Sequence, residues 1–331
     1  MKRLGQLSES YFSNKGEISG ANSNYSILEP YAEWHSFAIE NIPPPDQIIS
    51  QLWDIKIETG QDSSADGNLT QLLQKAESVL IKSESPIPVL IDTSIFQIGS
   101  ASSGLDYSIY EKYNGLFYTA MLNVGNIDRT LLFYSKKPTP FLGYGLKKGT
   151  IEAYAHCLDF LGYKAEGGCI FNYGRNSWCF GTDVLGGIFV NNGTLMDYFG
   201  QWAQGGIFVN KGFIGGGFGY GANDGLFVNY NQAVNYESDN FGFGEYSKGG
   251  IFIDGKEVSL QDYFIYNFGL QNNRFMRHSS GIGVNKFSMD NYLKQMIAEM
   301  EISNNNNNNF NKIEFSNLAN KIKNYCLEKY K

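Results

Sequence analysis

An all-β core in the form of a parallel β-helix, with coils of about 19 residues and flanking α-helices at both termini, is the fold this sequence predicts. Three columns of residues predict it. A glycine followed by a bulky apolar stretch recurs as Gly168-Cys-Ile-Phe171, Gly187-Ile-Phe-Val190, Gly206-Ile-Phe-Val209, Gly225-Leu-Phe-Val228 and Gly250-Ile-Phe-Ile253, at steps of 19, 19, 19 and 25. A second column, Leu142-Gly143, Leu161-Gly162, Phe180-Gly181, Phe199-Gly200, Phe218-Gly219 and Phe243-Gly244, keeps steps of 19, 19, 19, 19 and 25. Gly174, Gly193 and Gly212 form a third. The first two columns lengthen at the same place, which points to a six-residue insertion within Asn229–Asn240. Traced backwards through Gly149-Thr-Ile and Thr130-Leu-Leu-Phe133, the regular register spans residues 130–255.

A period of 19 is too short for a helix-pair repeat, which runs to roughly 33 residues or more. The residues after each glycine are β-branched or aromatic, as strands prefer. Short strands joined by glycine corners and stacked coil upon coil account for the period, with the glycines taking positive φ at the corners. Phe180, Phe199, Phe218 and Phe243 are then expected to form one interior column, and Phe189, Phe208, Phe227 and Phe252 another. The glycine-rich run Gly215–Gly221 reads as solenoid corners rather than a phosphate loop, because no helix follows to meet an anion.

The unit running from Asp197-Tyr-Phe-Gly200 through Gly205-Gly206-Ile-Phe-Val209 to Gly212 resembles the Gly-x-Gly-x-Gly repeats of the C-terminal domain of the glutamate synthase large subunit, which also occur in one subunit of formylmethanofuran dehydrogenase. The match extends over Gly162–Gly174, Gly181–Gly193 and Gly200–Gly212, with Asp224 replacing one glycine in the next unit, and covers roughly residues 140–255. The resemblance implies a right-handed β-helix that scaffolds a larger redox or amidotransferase-type assembly and contributes no catalytic residue. No cysteine near the start of the chain supplies an amidotransferase nucleophile, and no cysteine cluster suggests an iron–sulfur site.

The flanks differ in texture. Residues 1–85 read as a helical capping region: Asp46 after Ile42-Pro-Pro-Pro can cap a helix through Ile48, Ile49, Leu52 and Trp53. Leu69, Leu72, Leu73, Ala76, Val79 and Leu80 share one helical face, and this helix is expected to plug the open end of the solenoid. The segment 86–96 reads as a buried strand, and Gly115-Leu-Phe-Tyr118 as part of an irregular early coil, so the β-helix is placed at 86–255. Residues 256–303 are expected to hold an Asp-Gly hairpin and a helix capped by Ser288. A linker, Asn304–Asn309, leads to a C-terminal helix at 310–331 whose apolar stripe, Phe315, Leu318, Ile322 and Tyr325, packs on the solenoid or docks on a partner or second copy.

Composition excludes several functions. A net charge of −7 without a Lys/Arg block is not the footprint of a nucleic-acid binder. An aromatic fraction of 15% is too high for disorder. No apolar run approaches the roughly 20 residues that cross a bilayer. The N-terminus lacks a secretory h-region, and Cys157, Cys169, Cys179 and Cys326 form no C-x-x-C pair, so a cytoplasmic protein without metal or cofactor is expected. The three histidines, His35, His156 and His278, offer no dyad, since neighbours such as His156 and Cys157 point to opposite faces of a strand.

Three functions follow, in this order. The first is a non-catalytic structural or subunit-docking β-helix with a protein partner or self-association, built on the repeat residues Gly162, Gly168, Phe180, Gly181, Gly187, Phe199, Gly200, Gly206, Phe218, Gly219, Gly225, Phe243, Gly244 and Gly250. The second is a carbohydrate-binding or carbohydrate-active β-helix using Asp159 and Asp197, which share a repeat phase two coils apart, roughly 10 Å at the inter-strand spacing. Aromatics stacked outward at one phase favour it, whereas Tyr198, Trp202 and Tyr220 occupy different phases. The third is a metal-dependent nuclease using Asp92 in Asp92-Thr-Ser, which lacks converging carboxylates.

Overall fold

A computed structural model describes residues 20–57, 61–84, 86–94, 113–135, 139–154, 159–230, 243–244, 246–254 and 285–288, with separate helical positions between 295 and 325. Among the described residues, the helices that precede or interrupt the first coils are α1 (Gly20–Asn41), α2 (Pro45–Gln51), α3 (Ser64–Ser83) and α4 (Asn114–Asn123). The strands described along the chain are β1 (Leu90–Asp92), β2 (Thr130–Phe133), β3 (Thr150–Ala153), β4 (Cys169–Asn172), β5 (Arg175–Phe180), β6 (Ile188–Asn191), β7 (Thr194–Phe199), β8 (Ile207–Asn210), β9 (Phe213–Gly216), β10 (Leu226–Asn229), β11 (Ile251–Asp254) and β12 (Asn285–Ser288). They form a nine-stranded sheet, β1-β2-β3-β4-β6-β8-β10-β11-β12, and a three-stranded sheet, β5-β7-β9. Every pairing is parallel, with Phe189, Phe208, Phe227 and Phe252 in register across four coils. The fold is a parallel β-solenoid.

The period of 19 becomes energy through stacking. Phe180, Phe199, Phe218 and Phe243 lie face to face with centroids 4.8, 4.9 and 5.0 Å apart. Phe189, Phe208, Phe227 and Phe252 repeat this at 5.0, 4.7 and 4.5 Å. The two columns meet edge to face, for example Phe199 on Phe208 at 82°. Each such ring pair contributes about 0.5–1.5 kcal/mol beyond the area it buries.

A polar ladder runs beside the rings. Asn172, Asn191, Asn210 and Asn229 are at most 1% exposed. Each amide donates to the carbonyl of the next: Asn172 to Asn191 at 2.8 Å, Asn191 to Asn210 at 2.9 Å, and Asn210 to Asn229 at 2.9 Å. The same Asn191 oxygen accepts from the Gly193 N–H. The glycines of that turn do not take positive φ. They are glycine for space: a Cβ on Gly212 would overlap the carbonyl oxygen of Gly193 in the coil before.

The open end of the solenoid is closed by α4, not by α3. Gly115-Leu-Phe-Tyr118, expected in a coil, begins this helix, whose Leu116 and Phe117 are fully buried. Inside the stack, the corner amide of Gly162 donates to Leu142 O of the preceding coil. The first coil has no predecessor, and its Gly143 N–H donates instead to Thr119 Oγ1 on α4 at 2.8 Å. Likewise the Lys147 N–H donates to Asn123 Oδ1, where Glu166 one coil later uses Leu146 O. Thr119 thus satisfies an amide that would otherwise be a buried orphan, and Asn123 does the same for an amide at the surface.

α3 buries the predicted face, Leu69, Leu72, Leu73, Ala76, Val79 and Leu80, and packs on α1 and α4. Its N-terminus is a capping box of Ser63 and Asp66. Gly67 inside this helix is exposed and has open space where a Cβ would go. Gly67→Ala is therefore expected to stabilise the protein by about 0.5–1 kcal/mol, read as a higher midpoint in urea denaturation.

Four expectations change. The N-cap of α2 is Pro44 rather than Asp46, and the α-helix stops at Gln51 before a π-helical turn at Leu52–Ile57. Among the described residues of the segment 86–96, the strand is the three-residue β1, whose Leu90 is exposed while Ile91 points inward. The sheet does not end at residue 255: Asn285–Ser288 is its ninth strand, and within the helix expected after Ser288 the described residues 295 and 299 are helical. Helical residues between 317 and 325 lay Leu318, Ile322 and Tyr325 on the outer face of the main sheet, against a cluster containing Phe171, Val190, Val209 and Val228. Ile322 is fully buried there, so this stripe covers the chain's own sheet instead of facing a partner. Phe315, the Asp-Gly turn, the insertion within 229–240 beyond Tyr230, and the Asn run lie outside the described residues. Among the described residues no helix is long and apolar enough to cross a membrane.

Candidate functional site

The corners of the coils place the most distinctive side chains. In each corner the first, third and fifth residues have left-handed φ: Phe160, Gly162 and Lys164 at 65°, 67° and 53°; Cys179, Gly181 and Asp183 at 61°, 62° and 56°; Tyr198, Gly200 and Trp202 at 61°, 68° and 55°. Phe141, Gly143 and Gly145 before them and Gly217, Gly219 and Gly221 after them repeat the pattern, as do Gly244 and Tyr246 in the next coil. Amides two apart point alternately up and down the stack, since the N–H of Phe160 reaches Trp178 O ahead, that of Gly162 reaches Leu142 O behind, and that of Lys164 reaches Thr182 O ahead. Each non-glycine residue here costs about 1–2 kcal/mol of backbone strain. Phe160 and Cys179 offset it by complete burial. Lys164, Asp183 and Trp202 do not project into that core; they face a groove beside α3.

That groove has a volume of about 620 Å³ and runs along the solenoid between α3 and the corners. From α3 and the segment before it come Asp62, Thr70, Gln74 and Glu77; from successive coils come Lys147, Lys164, Asp183, Trp202, Asn223 and Lys248. Lys164 Nζ lies 2.8 Å from Asp62, 3.0 Å from Asp66 and 3.8 Å from Asp183. Burial opposes the charge on Lys164, but hydrogen bonds to Asp62 and Asp66 outweigh it and hold its pKa above the usual lysine value. Asp66 also accepts from the Tyr163 hydroxyl at 2.6 Å, and Asp183 accepts from Gln204 Nε2 at 3.1 Å. This network latches α3 to three consecutive coils, and beyond it the groove continues over Trp202, Gln204, Asn223 and Lys248.

Asp159 and Asp197 stand on the other side of the corner, where Trp178 occupies the coil between them and pairs in register with Asp197. Trp53 meets Trp178 edge to face at 5.5 Å. Two carboxyls flanking an indole do not face one another across a space for a glycosidic bond. Each nevertheless has one buried oxygen without a hydrogen-bond partner, and burial pushes both carboxyls above the usual range. The same burial, followed by the nearby Asp159 carboxyl, drives the Cys179 thiol well above its ordinary pKa.

A raised carboxyl pKa means that folding favours the protonated acid. Stability is then highest below the unfolded value of about 3.9 and is lost as pH rises through the folded pKa. Asp159→Asn and Asp197→Asn are each expected to raise Tm at pH 7, with the gain vanishing below about pH 4. Thermal melts at the two pH values check this.

The remaining candidates are dispersed. Asp92 Oδ1 accepts from the backbone N–H and hydroxyl of Ser94 at 2.8 and 2.6 Å, so it closes its own turn. Leu132 separates it in register from Glu152. Among the described residues no group of three His, Cys, Asp or Glu side chains could hold a metal ion. Cys169 and Cys179 are buried in the solenoid, and His35 is buried in α1. His156, Cys157, His278 and Cys326 lie outside the described residues.

Three further columns emerge only in the structure. The Asn ladder follows the step of 19, whereas the succession Lys164, Asp183, Trp202, in the corner position that Gly145, Gly221 and Tyr246 also hold, is joined by its left-handed backbone alone. An outward aromatic column exists as well: Tyr134, Tyr154 and Tyr173 stack at 4.8 and 4.8 Å. Its rings cover each other's faces, and the Tyr154 hydroxyl donates to Glu152, so the flat surfaces between them on which a sugar would stack are taken. No family model, no curated protein and no solved structure matches this chain.

Proposed function

We propose that the protein is a non-catalytic structural β-solenoid that docks within a multi-subunit assembly. The observation that carries this reading is how the repeat spends its side chains. The coils from 180 to 252 build two continuous phenylalanine stacks, and those up to Asn229 also carry an asparagine ladder. Its carboxylates are latched to lysine, closed in a turn, or split by Trp178. A rigid rod of this kind suits a spacer or docking element, in line with the redox and amidotransferase assemblies whose repeats it resembles. The test is size-exclusion chromatography with mass measurement of the full-length protein purified from its native source. A stoichiometric complex that survives the column supports the reading. A lone monomer that turns over a substrate contradicts it.

The buried, unpartnered carboxyl oxygens of Asp159 and Asp197 favour one second reading, a carbohydrate-active enzyme, because perturbed acids gather at active sites. Hydrolysis of a glycan that disappears in both Asp159→Asn and Asp197→Asn would establish it in place of the scaffold.

A further inference from the structure

From the chemistry of the groove beside α3, we infer a binding site for a neutral, extended oligosaccharide, which goes beyond the scaffold reading. Shape is the first indication. The lining passes over six successive coils, from Lys147 to Lys248, so at about 4.8 Å per step the groove is roughly 24 Å long. An open trough of that length suits a linear polymer better than a compact cofactor, which asks for a closed pocket.

Charge narrows the class. Asp62, Glu77, Glu166 and Asp183 oppose Lys147, Lys164 and Lys248 along the walls, a balance of four carboxylates to three ammonium groups. Lys164 and Lys147 are already engaged by Asp62 and Glu77. Neither a polyanion nor a polycation finds a complementary field there.

The backbone narrows it again. An extended peptide binds by adding a strand to free amides and carbonyls. Here the corner amides are committed to neighbouring coils, with Gly145 N–H on Tyr163 O, Asp183 N–H on Gln201 O and Trp202 N–H on Tyr220 O. Side chains alone are on offer. Trp202 supplies an apolar surface, while the side-chain carbonyl of Gln204, whose Nε2 donates to Asp183, and the exposed amide of Asn223 supply polar partners suited to hydroxyls.

Trp202 stands in the middle of this wall. Its φ is 55°, in a corner column shared with Gly145, Lys164, Asp183, Gly221 and Tyr246. Its ring packs over Gly221 and meets Tyr220 edge to face at 5.6 Å, which fixes the indole while part of it stays open to the groove.

The experiment is isothermal titration of the full-length protein with cello-, manno-, xylo-, malto- and chitohexaose, beside a sulfated hexasaccharide and an extended octapeptide. At least one neutral series is expected to bind, with affinity falling tenfold or more in Trp202→Gly and in Gln204→Ala. Trp202→Gly relieves a left-handed φ but removes the ring contact with Tyr220, so its Tm is measured beside its affinity. Should that variant misfold, Gln204→Ala and Asn223→Ala carry the same comparison from exposed positions. No binding of any neutral hexasaccharide at millimolar concentration would overturn the inference. So would preference for the sulfated sugar or the peptide, or neutral binding untouched by the variants.

Discussion

Gly200→Ala is expected to destabilise the solenoid by about 2–5 kcal/mol. Two costs add. Gly200 has φ of +68°, where a Cβ costs about 1–2 kcal/mol. That Cβ would also stand 2.7 Å from Phe227 Cε1 and 3.0 Å from Phe208 Cδ1, forcing apart two members of the ring stack, and overpacking of this kind costs about 1–3 kcal/mol. The rings cannot yield separately, because Phe208 and Phe227 are stacked 4.7 Å apart and held by neighbours on both sides. Urea denaturation of Gly200→Ala checks the size. Gly67→Ala, the same chemical change in an open helical position, should move the midpoint the other way.

Asn191→Ala is expected to cost about 3–6 kcal/mol, more than most core truncations of similar volume, because it orphans several buried polar groups at once. Its amide accepts from Asn172 and Gly193 and donates to Asn210. Removing it leaves a buried donor on Asn172, the amide of Gly193 and an acceptor on Asn210 unmet, each worth about 1–3 kcal/mol when orphaned. The loss propagates along the ladder, since every rung orients the next. Thermal and urea melts of Asn191→Ala beside an exposed control, Asn192→Ala, measure it. Equal stability of the two variants would mean that the ladder contributes nothing.

The solenoid was legible because its physics is periodic. A coil packs only on its neighbours, so a column such as Phe180, Phe199 and Phe218 must repeat in sequence if it stacks in space. The buried face of α3 was legible for the same kind of reason, from the helical period of Leu69, Leu72, Leu73 and Ala76. What escaped depends on a single event at an end or an edge. Whether Gly115-Leu-Phe-Tyr118 opens a coil or a helix turns on the missing coil before Gly143, whose amide needs the Thr119 hydroxyl. The strand Asn285–Ser288 pairs with Ile251–Asp254 across a connection longer than any regular coil, so no fixed step announces it. The stripe of Leu318, Ile322 and Tyr325 announced an apolar helix face but not its occupant, which proved to be the outer face of the main sheet. The site was hidden for another reason. Lys164, Asp183 and Trp202 differ in chemistry, so only knowledge that their shared position is left-handed reveals them as one column.

In a stack of this kind each coil of the regular repeat is an independent, exchangeable unit. Deleting 207–225 removes one whole coil and joins Gly206 to Leu226 in register, with Phe189 meeting Phe227 and Asn191 meeting Asn229. Deleting 207–216 removes about half a coil and turns every following side chain out of its column. Circular dichroism with urea denaturation of the two variants is the decisive measurement. The whole-coil deletion should keep the β spectrum and a single cooperative transition, and the half-coil deletion should unfold. Loss of structure in both, or equal tolerance of both, would contradict the stacked-coil architecture on which the groove and the docking role depend.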